Sequence, residues 1–121
     1  MNKYEANLAQ LKELEVSAYG YELIREVLLP DMLGQDYADM MYWAGKKLAR
    51  KFPLESREDL PAFFQDAGWG TLAIVHSKKQ ELEFELEGPL VSNRLKYQKE
   101  PCFQLEAEII AEQIQLMNER I

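Results

Sequence analysis

The residues that most constrain this chain are 56–87, where a helical pattern stops at Gly68-Trp69-Gly70 and strict alternation takes over. In Glu81-Leu82-Glu83-Phe84-Glu85-Leu86-Glu87 every second side chain is apolar. Leu82, Phe84 and Leu86 therefore face one side of a strand and four glutamates the other, a division that a helix of 3.6-residue period cannot make. A first strand at about 71–76 and a turn at 77–80 complete a hairpin. The preceding helix starts near Ser56 or Asp59, both competent caps, with Asp59 completing a capping box on Ser56 and Pro61 in the first turn. Gly68 closes it, because glycine alone enters the left-handed region there at little cost. Two strands are marginal by themselves, so the sheet must lean on helices, on a third strand or on a partner.

The rest of the chain reads as helix. Tyr4, Leu8, Leu11 and Glu15 form one stripe at the N-terminus. Val16, Gly20, Leu23 and Val27 form a second that runs on to Leu29, with Gly20 marking either a close helix crossing or a break. Pro30 disfavours helical geometry at Leu29, and 31–34 read as a turn. The next helix spans about 35–52 and ends at Pro53; Tyr37, Met40, Met41, Ala44, Leu48 and Phe52 recur at helical spacing. Gly88-Pro89 ends the second strand, and 90–100 hold a short helix capped by Ser92. Cys102 and Phe103 offer a third short strand before a last helix at about 104–120. The expected fold is α/β of the α+β type, four or five helices packed on a small twisted antiparallel sheet, in one domain over residues 1–121.

Composition narrows the partners. Fourteen basic against 21 acidic side chains give a net charge of -7, which argues against nucleic acid or an anionic membrane. Apolar runs such as Val27-Leu28-Leu29 fall far short of a spanning helix, and Met1-Asn2-Lys3-Tyr4-Glu5 has no apolar signal region. A single cysteine, Cys102, cannot form an internal disulfide, so a reducing cytoplasm is the expected compartment.

Few residues suggest chemistry. Side chains two apart along 81, 83, 85 and 87 stand roughly 6.5–7 Å apart, wide for one hard cation, so a solvated sheet face accounts for them. His76 and Cys102 are too few for a zinc site. As a nucleophilic pair they require the strands to bring them together, whereas a lone cysteine is more often a small core filler. No phosphate loop, nucleophile elbow or HExxH is present. The chain is therefore read as no enzyme, with the Cys102 thiol the one reactive group to weigh, and with neither metal nor cofactor.

Apolar surfaces are more informative. With Tyr37, Met40, Met41, Ala44 and Leu48 inward, Trp43, Lys46, Lys47 and Arg50 lie on the opposite side, where a tryptophan is covered by another helix, held by cation–π contact or buried in a partner. In the last helix Phe103, Ala107, Ile110, Ile114, Met117 and Ile121 form one stripe, and Leu105, Ile109 and Leu116 a second. A helix apolar on two faces is central or interfacial, so Trp43, Lys46, Lys47, Arg50 and Ile109 are candidate interface residues. Tyr37, Met40, Met41, Phe63, Phe64, Trp69 and Cys102 line a candidate apolar pocket, with a filled core the alternative.

Several segments carry a resemblance. Glu22-Leu23-Ile24-Arg25-Glu26, Leu29-Pro30-Asp31-Met32-Leu33-Gly34-Gln35-Asp36-Tyr37 and the run from Met41-Tyr42-Trp43-Ala44-Gly45 to Lys51-Phe52-Pro53-Leu54 resemble the YslB-like family of Bacillus-type bacteria. So do Ala67-Gly68-Trp69-Gly70 and Glu100-Pro101-Cys102-Phe103-Gln104-Leu105-Glu106-Ala107. The resemblance carries no activity with it. More distantly, Ala44-Gly45, Gly68-Trp69-Gly70 and Pro101-Cys102 resemble elements of the four-vinyl-reductase domains and the TRAPP tethering subunits. That likeness implies a single four-vinyl-reductase-like domain, frequent dimerisation and, in some members, small hydrophobic ligands. Haem-binding members carry Tyr-x-Ser-x-Arg, and Tyr21-Glu22-Leu23-Ile24-Arg25 lacks the serine, so no haem is expected. Glu108 stands where the superfamily often has glycine, which removes support for a ligand tunnel there. Related chains continue into a further strand beyond the position of Ile121, so the sheet is either a strand short or completed by another copy. The expectation is a cytoplasmic homodimeric module that binds a small apolar molecule or a protein partner; the alternative is an adaptor that docks a protein and holds no small ligand.

Overall fold

The computed structural model describes residues 2–78 and 81–119. In chain order the elements are α1 (Lys3–Leu8), α2 (Ala18–Glu22), α3 (Leu29–Leu33), α4 (Tyr37–Lys51), α5 (Asp59–Ala67), β1 (Thr71–Lys78), β2 (Glu81–Glu87), α6 (Pro89–Tyr97) and α7 (Gln104–Glu119). The fold is α+β, and the described residues form two units, Met1–Glu55 with Cys102–Ile121, and Ser56–Pro101.

In the first unit α4 packs along α7. Met41, Gly45 and Ala49 recur every fourth residue and are the buried positions of α4. Leu105, Glu106, Ile109, Glu112 and Gln113 are those of α7. A Cβ on Gly45 would stand 2.7 Å from the Leu105 carbonyl oxygen and 2.8 Å from the Glu108 Cβ, so only hydrogen fits between the helices. Small residues on the contact line push large ones to its flanks. Tyr37, Ala44 and Leu48 accordingly sit at the edge, and Met40, expected inward, is exposed.

Pro53 supplies no N–H to the Ala49 carbonyl four residues back, so the end of α4 needs donors from elsewhere. Gln113, fully buried, gives its amide N–H groups to the carbonyls of Ala49 (3.3 Å) and Phe52 (2.7 Å) and accepts from the Leu54 N–H (3.1 Å). Asn2 donates to the Lys51 carbonyl at 2.6 Å. The Tyr4 ring lies 6.4 Å from that of Phe52, under the Lys51 ammonium.

The break expected at Pro30 does not occur. Between α2 and α3 the chain forms a π-helical stretch, Leu23–Leu28, and helix continues through Pro30 to Leu33. The Leu29 N–H bonds to the Ile24 carbonyl, five residues back. That wider turn absorbs the donor that proline lacks and makes room for its ring. Gly20 meets no atom within 4 Å of where a Cβ would stand, so it marks neither a close crossing nor a break.

In the second unit the hairpin and the end of α5 match the sequence expectations, but the expected caps at its start do not. α5 begins at Asp59 after Glu58 with no side-chain cap bond, and Asp59 Oδ2 accepts from the Ser56 N–H (3.2 Å) and hydroxyl (3.3 Å). Gly68 sits at φ 77° after α5. Its N–H bonds to Gln65, and the Trp69 N–H to Phe64, both at 3.0 Å. This is a Schellman ending, sealed by Trp69 against Phe64 with ring centroids 5.5 Å apart. The strands pair antiparallel from Thr71–Glu87 to Lys78–Glu81, with an irregularity between Ile74 and His76 that leaves Val75 as the extra residue. Leu82, Phe84 and Leu86 are half-buried while Glu83, Glu85 and Glu87 are exposed. β1 runs to Lys78, two residues beyond the expected strand; residues 79 and 80 of the expected turn lie outside the described residues. α5 packs on β1 and α6 against β2, around Leu60, Phe64, Leu72 and Val91. α6 starts at Pro89, and the Ser92 N–H bonds to Gly88, which puts Ser92 inside the first turn rather than at its cap. Cys102 and Phe103 form no strand, and Phe103 accepts the Ala107 N–H as α7 begins.

Two glycines give opposite expectations. Gly45→Ala should destabilise by about 1–3 kcal/mol, because backbone on both helices must move. Gly20→Ala, in open space on a helix, should stabilise by about 0.5–1 kcal/mol. Urea unfolding of the two variants checks both signs.

Candidate functional site

Within the first unit the helix made of α2, the π stretch and α3 places charge inside. Arg25, only 2% exposed, lies in the π stretch. Its guanidinium grips Glu106 of α7 through two bonds, Nη1 to Oε2 at 3.0 Å and Nη2 to Oε1 at 2.8 Å. It also donates to the hydroxyls of Tyr21 (3.0 Å) and Tyr37 (3.2 Å) and to the Cys102 carbonyl (3.3 Å), and its Nε lies 3.4 Å from Glu26. Tyr37 returns a bond to the Arg25 carbonyl at 3.0 Å. Burial pulls the guanidinium pKa down, but the hydrogen bond and charge of Glu106 outweigh it and hold the pKa above its ordinary value. Burial pushes the Tyr37 hydroxyl up, opposed by its hydrogen bond to Arg25. The guanidinium, the Glu106 carboxylate, the two tyrosine hydroxyls and the Cys102 carbonyl satisfy one another, and the cluster acts as a keystone joining three helices.

A second polar group lies on the α4–α7 seam. Glu112, 2% exposed, receives Arg50 Nε at 2.7 Å and Lys46 Nζ at 3.3 Å, and Lys46 also approaches Glu108 at 3.5 Å. The hydrogen bond from Arg50, against the opposing effect of burial and with help from Lys46, holds the Glu112 carboxyl below its usual value of 4.5.

The outer face of the 18–33 helix is apolar. Two parallel rows at four-residue spacing, Tyr19-Leu23-Val27 and Ile24-Leu28-Met32, are between 43% and 74% exposed. Val16, which the sequence places in one stripe with Leu23 and Val27, is 84% exposed. The usual polarity of an amphipathic helix is thus reversed: Arg25 and Glu26 are turned inward and Leu23, Ile24, Val27 and Leu28 outward. The reason is Glu106. Pairing with it holds Arg25 inside, and the helical period then carries Leu23, Ile24, Val27 and Leu28 to the other side.

The expected pocket residues fall in both units. In the first, Tyr37 and the Cys102 carbonyl meet at Arg25, Met41 is buried, and Met40 is exposed. In the second, Phe63, Phe64 and Trp69 form an edge-to-face trio with centroids 5.5 to 6.4 Å apart. Among the expected interface residues, Trp43 is 56% exposed and meets Tyr42 edge-on, and Lys47 is exposed. Lys46 and Arg50 turn to Glu112, and Ile109 is fully buried. Sequence reasoning missed Arg25, Glu106, Glu112 and Gln113 as buried polar residues. The available signal was the regular spacing of 105, 106, 109, 112 and 113, a helical seam that mixes apolar and polar side chains. No group of three or more metal-ligating side chains occurs among the described residues, and no described helix is long and apolar enough to cross a membrane.

Residues 18–121 match the model of a family described as "Protein of unknown function (DUF2507)". The chain is similar to the "Uncharacterized protein YslB" of Bacillus subtilis (strain 168), 74% identical over 120 residues that cover 99% of this chain and 81% of the relative.

Two expectations follow from the ion pairs. Arg25→Met or Glu106→Leu alone should cost about 3–5 kcal/mol in urea unfolding, and the double variant less than the sum, since each single change strands a buried charge. Glu112 has a folded pKa below its unfolded one, so its stabilisation is whole above the ordinary value of 4.5 and drains as pH falls through the folded value. Thermal melts across acid pH should therefore show a shallower acid decline in Glu112→Gln than in the parent.

Proposed function

The chain belongs to the DUF2507 family, and we propose that it is a cytoplasmic interaction module that docks a protein partner on the outer face of its 18–33 helix. One observation carries the reading: the reversed polarity of that helix. Leu23, Ile24, Val27, Leu28 and Met32 face water while Arg25 is sequestered. Each of these partly exposed side chains forgoes a share of the roughly 1.5–3 kcal/mol that full burial supplies. Contiguous exposure of this kind marks interaction surfaces. The polar keystone at Arg25 fixes the rotation of the helix, so the face is presented rigidly and little ordering is needed on binding.

Native mass spectrometry of the protein purified gently from a Bacillus-type host tests the reading. The expected result is a protein complex that is lost in Ile24→Gln/Leu28→Gln and kept in Trp43→Ala. A monomer carrying only a solvent-extractable small molecule would overturn it and favour the apolar ligand that the four-vinyl-reductase likeness implies. Retention of the complex in Ile24→Gln/Leu28→Gln would move the docking surface elsewhere.

A further inference from the structure

The charges around this face select its occupant. From residue 13 to residue 45 the only basic side chain is Arg25, and it is buried. Glu13 and Glu15 precede the apolar rows, Asp31 extends one of them, and Asp36 and Asp39 follow; all five are exposed. The apolar rows therefore span about 20 Å, from the 1.5 Å rise per helical residue, and carboxylates precede and follow them in the chain, with the exposed Lys12 beside Glu13 on the first side.

Resting on the interaction-module reading above, we propose that the occupant is a cationic amphipathic helix of another protein, with an apolar stripe at four-residue spacing and Lys or Arg towards both ends. Its stripe packs between the rows Tyr19-Leu23-Val27 and Ile24-Leu28-Met32, as one helix surface packs into another. Its basic residues meet Glu13 and Glu15 at one end and Asp31, Asp36 and Asp39 at the other, which sets encounter rate and salt dependence. A second copy fits worse. A two-fold contact places the same patch on both sides, so acid meets acid whichever way the helices run. An anionic bilayer is repelled for the same reason.

The test uses three synthetic helical peptides as probes. One has a leucine stripe flanked by lysines, one the same stripe flanked by glutamates, and one the lysine composition scrambled to destroy the stripe. Fluorescence anisotropy with the full chain should show the first binding at least tenfold more tightly than the other two. Raising salt should weaken it several-fold. Ile24→Gln/Leu28→Gln should weaken it at least tenfold, and Asp31→Asn/Asp36→Asn several-fold with a flatter salt dependence. Circular dichroism verifies that the variants remain folded.

Equal binding of the scrambled or the glutamate-flanked peptide would overturn the proposal. So would lysine-peptide binding that ignores the Ile24→Gln/Leu28→Gln change. A dimer in sedimentation that the same double change converts to monomer would overturn the cationic partner while leaving the face as an interface. If no association of any kind depends on Ile24 and Leu28, the proposal and the reading beneath it fall together.

Discussion

Gly45 brings α4 and α7 to a separation at which the main chain of one helix meets that of the other. A Cβ at that position would lie 2.7 Å from the Leu105 carbonyl. The same closeness puts the polar side chains of α7 within reach of α4. Gln113 replaces the donor that Pro53 cannot give, and Glu112 draws in Lys46 and Arg50. Without the close approach these groups would be buried and unanswered, which costs about 1–3 kcal/mol each for neutral groups and more for charged ones. The tight crossing and the polar interior of the first unit are therefore parts of one arrangement.

Arg25 extends that arrangement to the 18–33 helix. A buried ion pair is weak evidence of stability, because desolvation offsets much of the attraction. What the pair fixes is rotation. With the guanidinium held by Glu106, Tyr21, Tyr37 and the Cys102 carbonyl, the helix cannot turn its leucines inward without stranding the charge. The π stretch lies at this anchor and carries the helix past Pro30. The outward apolar face on which the functional reading rests is thus a consequence of polar pairing inside.

Legibility in the sequence follows the range of the causes. The second unit could be read because its determinants are local. Gly68 closes α5 with bonds three and five residues back, and the alternation of 81–87 states its own register. The end of α4 at Pro53 was equally plain. Pro30 misled, since its local preference was overridden by a wider turn. The stripe of Val16, Leu23 and Val27 misled because periodicity shows that a helix has faces, not which one is covered. On α4 the large residues Met40 and Leu48 dominate the apolar pattern, although Gly45 marks the contact line.

The sequence by itself determined the α+β class, the hairpin, most helix boundaries, the acidic balance and the family. Each depends on nearest neighbours, on composition or on the residues matched one by one. Tertiary structure alone decided that α4 meets α7 through Gly45, that Arg25 and Glu106 pair across 81 positions of chain, and that Leu23, Ile24, Val27 and Leu28 face outward. Those outcomes depend on which distant partner satisfies a buried charge, and no local pattern encodes the identity of that partner.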